Sequence, residues 1–284
     1  MEYNYKSFDE MAAAGTATID ASKDPERANA VLEGLMDAGP APIPPLPSAS
    51  HANLAVGYIP EPGGEPTYKA RVRELTGADE EELARAGTNP FRFFDTVIRR
   101  GTVEIGDAPA NDRMLRALSI ADRDTLLLAI RIATYGSEFE WEGWRCPHCG
   151  ESSDLTFHLD DIEITSPPLH QQEYIVLLRD GRAAKLRLPN GDDQAKIYER
   201  EDYTVAEQNS VMISRCVMEL RGPDDKELPV GPELGKQLGI ADRKTIVKAM
   251  AAHTFGPQLE NIKITHDACG KEAQVPLALG ALFR

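Results

Sequence analysis

The chain has 284 residues and a formal net charge of −15 at pH 7, which suits two domains of roughly 100 to 150 residues. The acidic charge, without a basic stripe, argues against nucleic-acid binding. The chain contains no run of about 18 apolar residues, as a membrane segment would require, and its N-terminus lacks a signal-peptide pattern. We therefore expect the protein in a cytoplasm or in a particle assembled there.

Residues 1–66 are predicted to form an extended arm rich in proline and glycine. Prolines concentrate between Pro40 and Pro47, so backbone donors are few and the apolar period is weak. One short helix is predicted inside the arm, capped by Asp24 and ended by Gly39. Because such a segment has no core of its own, we expect it to lie against another protein chain.

The first of two predicted domains spans residues 67–166 and opens with a half-buried strand through Tyr68. Thr76 is the predicted cap of the next helix, and the acidic residues 79–82 are interpreted as a helix start with a solvated face. Asn89 and the proline after it start a further amphipathic helix.

The strongest helix signal in the chain begins with Ser119 as the cap and ends at Gly136. Asp122 and Arg123 in its first turn resemble a catalytic pair, but we favour a structural role, in which the aspartate caps the helix and the arginine pairs with an acidic neighbour. A strand, a turn at Cys146-Pro147-His148-Cys149-Gly150 and a second strand are predicted to follow.

The second domain is predicted over residues 167–284. Its opening hairpin passes through Tyr174 and Leu186 and turns at Asp180-Gly181. The apolar period of residues 211–220 predicts a helix. A further helix and two strands around a second turn complete the domain.

The two domains share a pattern that indicates a tandem duplication. Residues 120–125 match residues 240–245, and residues 146–150 match residues 266–270, each pair 120 positions apart. Further identities at this spacing are Ala129 with Ala249, Thr134 with Thr254, Gly136 with Gly256 and Glu140 with Glu260. The predicted fold class is therefore α+β, with duplicated small mixed domains joined through a zinc-ribbon-like pair of turns.

Four residues at the paired turns are predicted metal ligands: Cys146, Cys149, His266 and Cys269. Each turn presents two donors on one side of a tight loop, and two such turns complete the tetrahedron that Zn²⁺ prefers. Four protein donors leave no place for water, so the predicted cofactor is a structural Zn²⁺. His148, between the first two cysteines, is expected to point to solvent.

Two other interpretations of the cysteines stay open. The string Cys146-Pro147-His148-Cys149 is also the active-site pattern of thiol oxidases of the DsbA type, whose first cysteine opens a helix that stabilises the thiolate. Here Gly150 and the alternation after it predict a turn and a strand instead. In the second alternative, the two turns bind no metal ion. Cys216, in an apolar run, is interpreted as a small buried hydrophobe.

Three segments follow one another in an unusual order: residues 74–81 (ELTGADEE), 120–136 (IADRDTLLLAIRIATYG) and 146–150 (CPHCG). Together they resemble the T4-type bacteriophage baseplate protein family, which is linked to the central hub of contractile tails. The resemblance covers residues 68 to 165 well and the second domain more loosely, and none of it covers the arm. It implies a non-enzymatic role, contacts with other tail or baseplate proteins through the arm and the repeat surfaces, and several copies in a symmetric assembly.

His266 and Asp267 stand where the family has cysteine and proline, a departure compatible with a mixed cysteine and histidine site. The sequence carries no nucleophile elbow, phosphate loop, Rossmann fingerprint or His-Glu-x-x-His pattern, and we expect no enzyme activity. The leading hypothesis is a structural component of a contractile-tail baseplate in the hub region, located in the virion after assembly in the host cytoplasm. A transient baseplate-assembly chaperone is the alternative, and a thiol oxidoreductase is a weaker one.

Overall fold

Helices and strands alternate through the part of the chain that the computed structural model describes, which comprises residues 49–61, 63–87, 89–168, 171–200 and 202–283. Residues 1–48, with the predicted helix of the arm, lie outside the described residues. None of the described helices combines the length and the apolar character that a membrane span requires.

The first half of the described chain builds one antiparallel sheet with helices packed around it. Its strands are β1 (Ser50–Tyr58), β2 (Thr67–Val72), β3 (Thr102–Ile105) and β4 (Ala108–Pro109), paired in that order. Its helices are α1 (Gly77–Arg85), α2 (Pro90–Gly101), α3 (Asp112–Ala117) and α4 (Ile120–Tyr135). The predicted strand through Tyr68 and the helix starts at Thr76, Asn89 and Ser119 are confirmed.

A hairpin and two short elements connect the halves. They are β5 (Glu138–Arg145), β6 (Ser152–His158), a 3₁₀ turn (Leu159–Asp161) and β7 (Ile164–Thr165). β5 and β6 pair antiparallel, with Phe139 opposite Phe157. The predicted strands on both sides of the first cysteine turn are therefore confirmed.

The second half builds a sheet with the same neighbour relations. Its strands are β8 (Glu173–Leu177), β9 (Ala183–Arg187), β10 (Val217–Arg221) and β11 (Glu227–Leu228). Its helices are α5 (Gly191–Tyr198), α6 (Val205–Cys216), α7 (Leu234–Gln237) and α8 (Ile240–Ala252). The chain closes with β12 (Gly256–Pro257), a 3₁₀ turn (Leu259–Asn261), β13 (Ile262–Thr265), β14 (Glu272–Val275) and a 3₁₀ turn (Leu279–Phe283).

Both halves place their elements in one order: two strands, two helices, two strands, two helices and a hairpin with a turn that carries two of the predicted ligands. In each half the second strand, β2 or β9, lies between the first and the third. The starts of α4 and α8 are equally alike, with an isoleucine in the first position, Ile120 or Ile240, and an aspartate two residues later.

Strand β1 lies inside the segment that the sequence assigned to the arm, so the folded region begins before residue 67. Ala52 pairs with Ala70 of β2, and Leu54 is buried in the core of the first half. The buried Asp122 carboxylate of α4 accepts the N–H of Val56 (2.8 Å). Residues 54–56 are all buried, which removes the polar alternation that would have identified the strand.

The helix predicted over residues 211–220 is wrong in its second part. α6 ends at Cys216, and the chain continues as β10, where Leu220 pairs with Ala184 of β9. Val217 and Leu220 are buried in the second core. Their spacing of three residues fits a helix, because a regular strand would place them on opposite faces. The pairing with β9 shifts register between Val217 and Glu219, and only that pairing identifies the strand.

The solvated face predicted for residues 79–82 does not include Asp79, which is fully buried. Its carboxylate accepts hydrogen bonds from Arg73 (2.7 Å), Arg100 (2.6 Å) and the Thr76 N–H (2.8 Å). Burial acts to raise the pKa of Asp79, but these charged and backbone donors hold the pKa well below its usual range. Asp79 therefore ties β2 and α2 to the start of α1.

Asp193 repeats this arrangement in the second half. It is buried at the start of α5 and accepts from Arg187 of β9 (2.6 Å), Arg215 of α6 (2.6 Å) and the Asn190 N–H (2.9 Å). Cys216 lies beneath it as the predicted buried hydrophobe, with Sγ 3.9 Å from the Asp193 carboxylate. The same two-arginine cluster thus fixes the first helix of each half.

A third core is built from both halves. Its buried members are Leu128, Phe139, Leu159, Ile162, Leu259, Leu277 and Leu282. Arg131 of α4 donates to the carbonyl oxygen of Leu282 (2.6 Å), and β7 pairs with β12. This shared core lies next to the hairpins that carry the two ligand turns.

Candidate metal centre

The two ligand turns have the same backbone. At the end of β5, the Gly150 N–H donates to the carbonyl oxygen of Cys146 (2.9 Å), and at the end of β13 the Gly270 N–H donates to that of His266 (2.7 Å). Both glycines have positive φ, 76° and 65°, a conformation that favours glycine. The chain can therefore reverse within four residues and place the first and fourth side chains on one side.

The four predicted ligands come together in space. Their donor atoms, Sγ of Cys146, Cys149 and Cys269 and a ring nitrogen of His266, all lie within 4.8 Å of one another. Cys146 Sγ is 3.9 Å from Cys269 Sγ, and His266 Nδ1 is 3.4 Å from Cys149 Sγ and 3.3 Å from Cys269 Sγ. Zn–S bonds of about 2.3 Å give a tetrahedron with edges of about 3.8 Å, so the donors have the spacing of a tetrahedral shell that can hold a metal ion.

The walls of the cluster are apolar and come from both hairpins. Cys146 packs with Trp144 of β5 and with Ala273 and Val275 of β14. The ring of His266 is buried and lies edge to face with Trp144, with centroids 5.7 Å apart. Cys149 alone is exposed, so the cluster reaches solvent on one side.

Backbone donors favour a thiolate at Cys146. Burial acts to raise the pKa of its thiol, but the N–H groups of Cys149 and His148 outweigh that effect and lower the pKa below its ordinary value. The Glu151 N–H acts to lower the pKa of Cys149, but partial desolvation and the neighbouring thiols of Cys146 and Cys269 together raise the pKa above its ordinary value. A cation bound among these sulfurs would offset the repulsion between thiolates with its positive charge, and would therefore favour deprotonation of all three thiols.

His148 is exposed, as predicted, but it also bridges the two turns. Its Nε2 lies 2.9 Å from the carbonyl oxygen of Glu272, at the start of β14. This contact had no signal in the sequence, because it joins residues of different hairpins. It adds a contact between the first turn and the second hairpin that does not involve the four clustered donor atoms.

The geometry around Cys146 differs from that of a helix-activated redox cysteine. The turn leads into strand β6 and no helix starts at Cys146, so the helix N-terminus that stabilises a catalytic thiolate in such enzymes is absent from this position. All four cysteines are free thiols.

The repeated aspartate and arginine of α4 and α8 make hydrogen bonds to residues outside the cluster. Arg123 is 2% exposed and donates to Asp95 (2.9 Å) and to the carbonyl oxygen of Leu115 (3.0 Å). In the second half Arg243 donates to Ser210 Oγ (2.7 Å) and to the carbonyl oxygen of Gly235. These bonds support the structural interpretation of the pair.

The family model described as T4 bacteriophage base plate protein matches residues 65–283. That range takes in the second sheet, the first sheet except β1, and all four clustered donors. Comparison with curated proteins and with solved structures gave no match.

Proposed function

This chain belongs to the T4 bacteriophage base plate protein family, and from that premise we propose that it is a structural, non-enzymatic component of the hub region of a contractile-tail baseplate. Family membership implies association with other tail proteins and a location in the phage tail. The buried aspartates Asp79, Asp122 and Asp193 have structural roles, because each is engaged by donors that fix a helix to a strand.

The metal in this proposal is a structural Zn²⁺ bound by Cys146, Cys149, His266 and Cys269. Thiolate sulfur and imidazole nitrogen are the donors that zinc prefers, and the observed spacing fits its tetrahedral shell. Four protein ligands leave no position for water or substrate. The ion would therefore fasten the hairpin of one half to the hairpin of the other.

We also propose that the two halves are repeats that arose by duplication, with domains at residues 50–166 and 167–284 and the arm before them. The shared element order and the recurring clusters at Asp79 and Asp193 support this. Duplication accounts for one centre made from two turns, since each copy supplies half of the ligand set.

Metal analysis of the purified full-length chain tests the centre. We expect about one zinc ion per chain, and we expect Cys149→Ser to lose most of it. Cys149 is suited to this test because its exposed side chain contributes little to the core. Cys216→Ala is the matched control: it removes a cysteine outside the cluster and should keep the zinc. A metal-free wild type, or zinc retained by Cys149→Ser, would contradict the proposal.

Mass spectrometry of purified phage particles tests the structural role. A component of the baseplate is expected in the particle in stoichiometric amount, whereas a chain found only in lysates would indicate the transient assembly factor instead. An arm deletion should stop at residue 48, because β1 starts at Ser50. Tails that assemble and contract normally without residues 1–48 would count against the arm as a contact to neighbouring tail proteins.

A further inference from the structure

Inside the chain, the start of α5 docks on the start of α4. The Ile120 N–H donates to the carbonyl oxygen of Pro189 (3.0 Å), and the Gly191 N–H donates to that of Leu118 (3.1 Å). Gly191 approaches Arg123 so closely that a Cβ at residue 191 would lie 2.8 Å from its Nη1. We call this contact the internal junction; it joins the second half to the first.

Both sides of the internal junction have an uncovered counterpart elsewhere in the chain. Ile240 begins α8 as Ile120 begins α4, but Ile240 is 75% exposed while Ile120 is half-buried. Gly77 begins α1 as Gly191 begins α5, but Gly191 is buried, whereas a Cβ at Gly77 would meet no atom within 4 Å. The surfaces that meet in the internal junction are thus both presented a second time, uncovered, at the starts of α1 and α8.

The backbone donors of these counterparts are also unused. Neither the Gly77 N–H nor the Ile240 N–H meets an acceptor among the described residues. The first N–H of a helix has no partner within its own helix. In the internal junction the equivalent two donors, on Gly191 and Ile120, are each satisfied by a carbonyl of the other half.

Charge at the counterparts is complementary. Asp124 of α4 and Gln194 of α5 line one cavity at the internal junction. Their counterparts are Lys244 of α8 and Glu80 of α1, and both are exposed. An α1 helix placed on the start of α8 would bring these opposite charges together, which favours association of the correct surfaces.

We propose that copies of this chain associate head to tail, with α1 of one copy docked on the start of α8 of the next, in the geometry of the internal junction. The occupant is a second copy because the surface that fits the start of α8 is already present on α1. Such a contact uses two different surfaces, so it continues from copy to copy until a ring closes or a filament forms. The inference rests on the proposed duplication and does not depend on the metal.

Sedimentation velocity of the full-length chain between about 1 and 100 μM tests this association. We expect assembly that grows with concentration and is weakened about tenfold or more by Ile240→Asp, which places a charge where an isoleucine would be buried. Lys244→Glu and Glu80→Lys should each weaken it, and the double variant should restore it. The control is Lys226→Glu, an exposed lysine in the β10–β11 turn, which should leave assembly unchanged.

A chain that stays monomeric over this range, or an oligomer insensitive to Ile240→Asp and to the charge exchange, would overturn the inference. The substituted side chains are exposed, so the variants should keep the wild-type Tm and metal content, which separates a lost contact from misfolding. A wild-type chain that assembles but holds no zinc would contradict the proposed metal centre and leave the head-to-tail contact standing.

Discussion

The glycines that begin α5 and α1 offer a matched pair of substitutions at the internal junction and at its uncovered counterpart. A Cβ at Gly191 would lie 2.8 Å from Arg123 Nη1 and 3.0 Å from the carbonyl oxygen of Arg116. Arg123 has little room to withdraw, because it is buried and bound to Asp95. A Cβ at Gly77 meets nothing within 4 Å, and neither glycine has positive φ. Gly191→Ala should therefore destabilise the protein, while Gly77→Ala should not.

The expected size follows from two opposing terms. Forcing an extra carbon into a well-packed site costs about 1–3 kcal/mol, and alanine returns about 0.4–1 kcal/mol by reducing the entropy of the unfolded chain. The net loss for Gly191→Ala is then about 1–2 kcal/mol, and Gly77→Ala gains at most about 1 kcal/mol. In a folded region of this size, 1 kcal/mol corresponds to about 2–4 °C in Tm.

Thermal unfolding followed by circular dichroism measures the difference, at a concentration low enough to keep the chain dissociated. We expect Gly191→Ala to melt roughly 3–6 °C below the wild type and Gly77→Ala to melt at or above it. Equal Tm values for the two variants would refute the close approach of Gly191 to Arg123, and with it the template for the head-to-tail contact.

Three titratable groups, the buried Cys216 and Asp79 and the half-buried Asp124, give three more predictions. Burial raises the pKa of the Cys216 thiol to about 12, so after chelation the three ligand thiols should react with Ellman's reagent near pH 8, while Cys216 reacts only on unfolding. Desolvation raises the pKa of Asp124 to about 7. A raised carboxyl pKa stabilises the folded protein at low pH, and this contribution should be lost as pH rises from about 4 to 7. Calorimetry should therefore show that Asp124→Asn raises the Tm more near pH 8 than near pH 5. Asp79→Asn should cost about 1.5–3 kcal/mol in urea unfolding at neutral pH, because Arg73 and Arg100 lose a charged acceptor. Since the pKa of Asp79 is lowered, this difference should shrink as pH falls below about 4. If all four thiols react after chelation without unfolding, the burial of Cys216 is contradicted. A gain in Tm for Asp124→Asn that does not change with pH, or a loss of stability for Asp79→Asn that does not change with pH, would contradict the pKa shift of that aspartate.

The features predicted from sequence are those fixed by neighbours in the chain. The cap at Ser119 and the end of α4 at Gly136 are local choices, so the pattern was sufficient for this helix. The two ligand turns are also local, and the spacing of their repeat indicated which turns would meet. The approach of Cys149 to His266 follows from that pairing.

The features that were missed depend on distant partners. β10 continues the apolar period of α6, and only its pairing with β9 makes it a strand. β1 gives no strand signal in the sequence, because its buried middle lacks the alternation of apolar and polar residues and proline-rich segments lie on both sides of it. Asp79 looks like a surface residue in an acidic run, since the arginines that bind it are Arg73, which directly follows β2, and Arg100 of α2. In each case the deciding contact joins residues that no short window of sequence contains.

Neither half of the described chain carries a complete interior, because the third core takes side chains from both. In a fragment ending near residue 166, Leu128 and Phe139 would lose the C-terminal side chains that cover them. In the complementary fragment, Leu259, Leu277 and Leu282 would lose their partners from the first half. We therefore expect the two halves to melt in one cooperative transition, and a split chain to regain its fold only when both pieces are mixed.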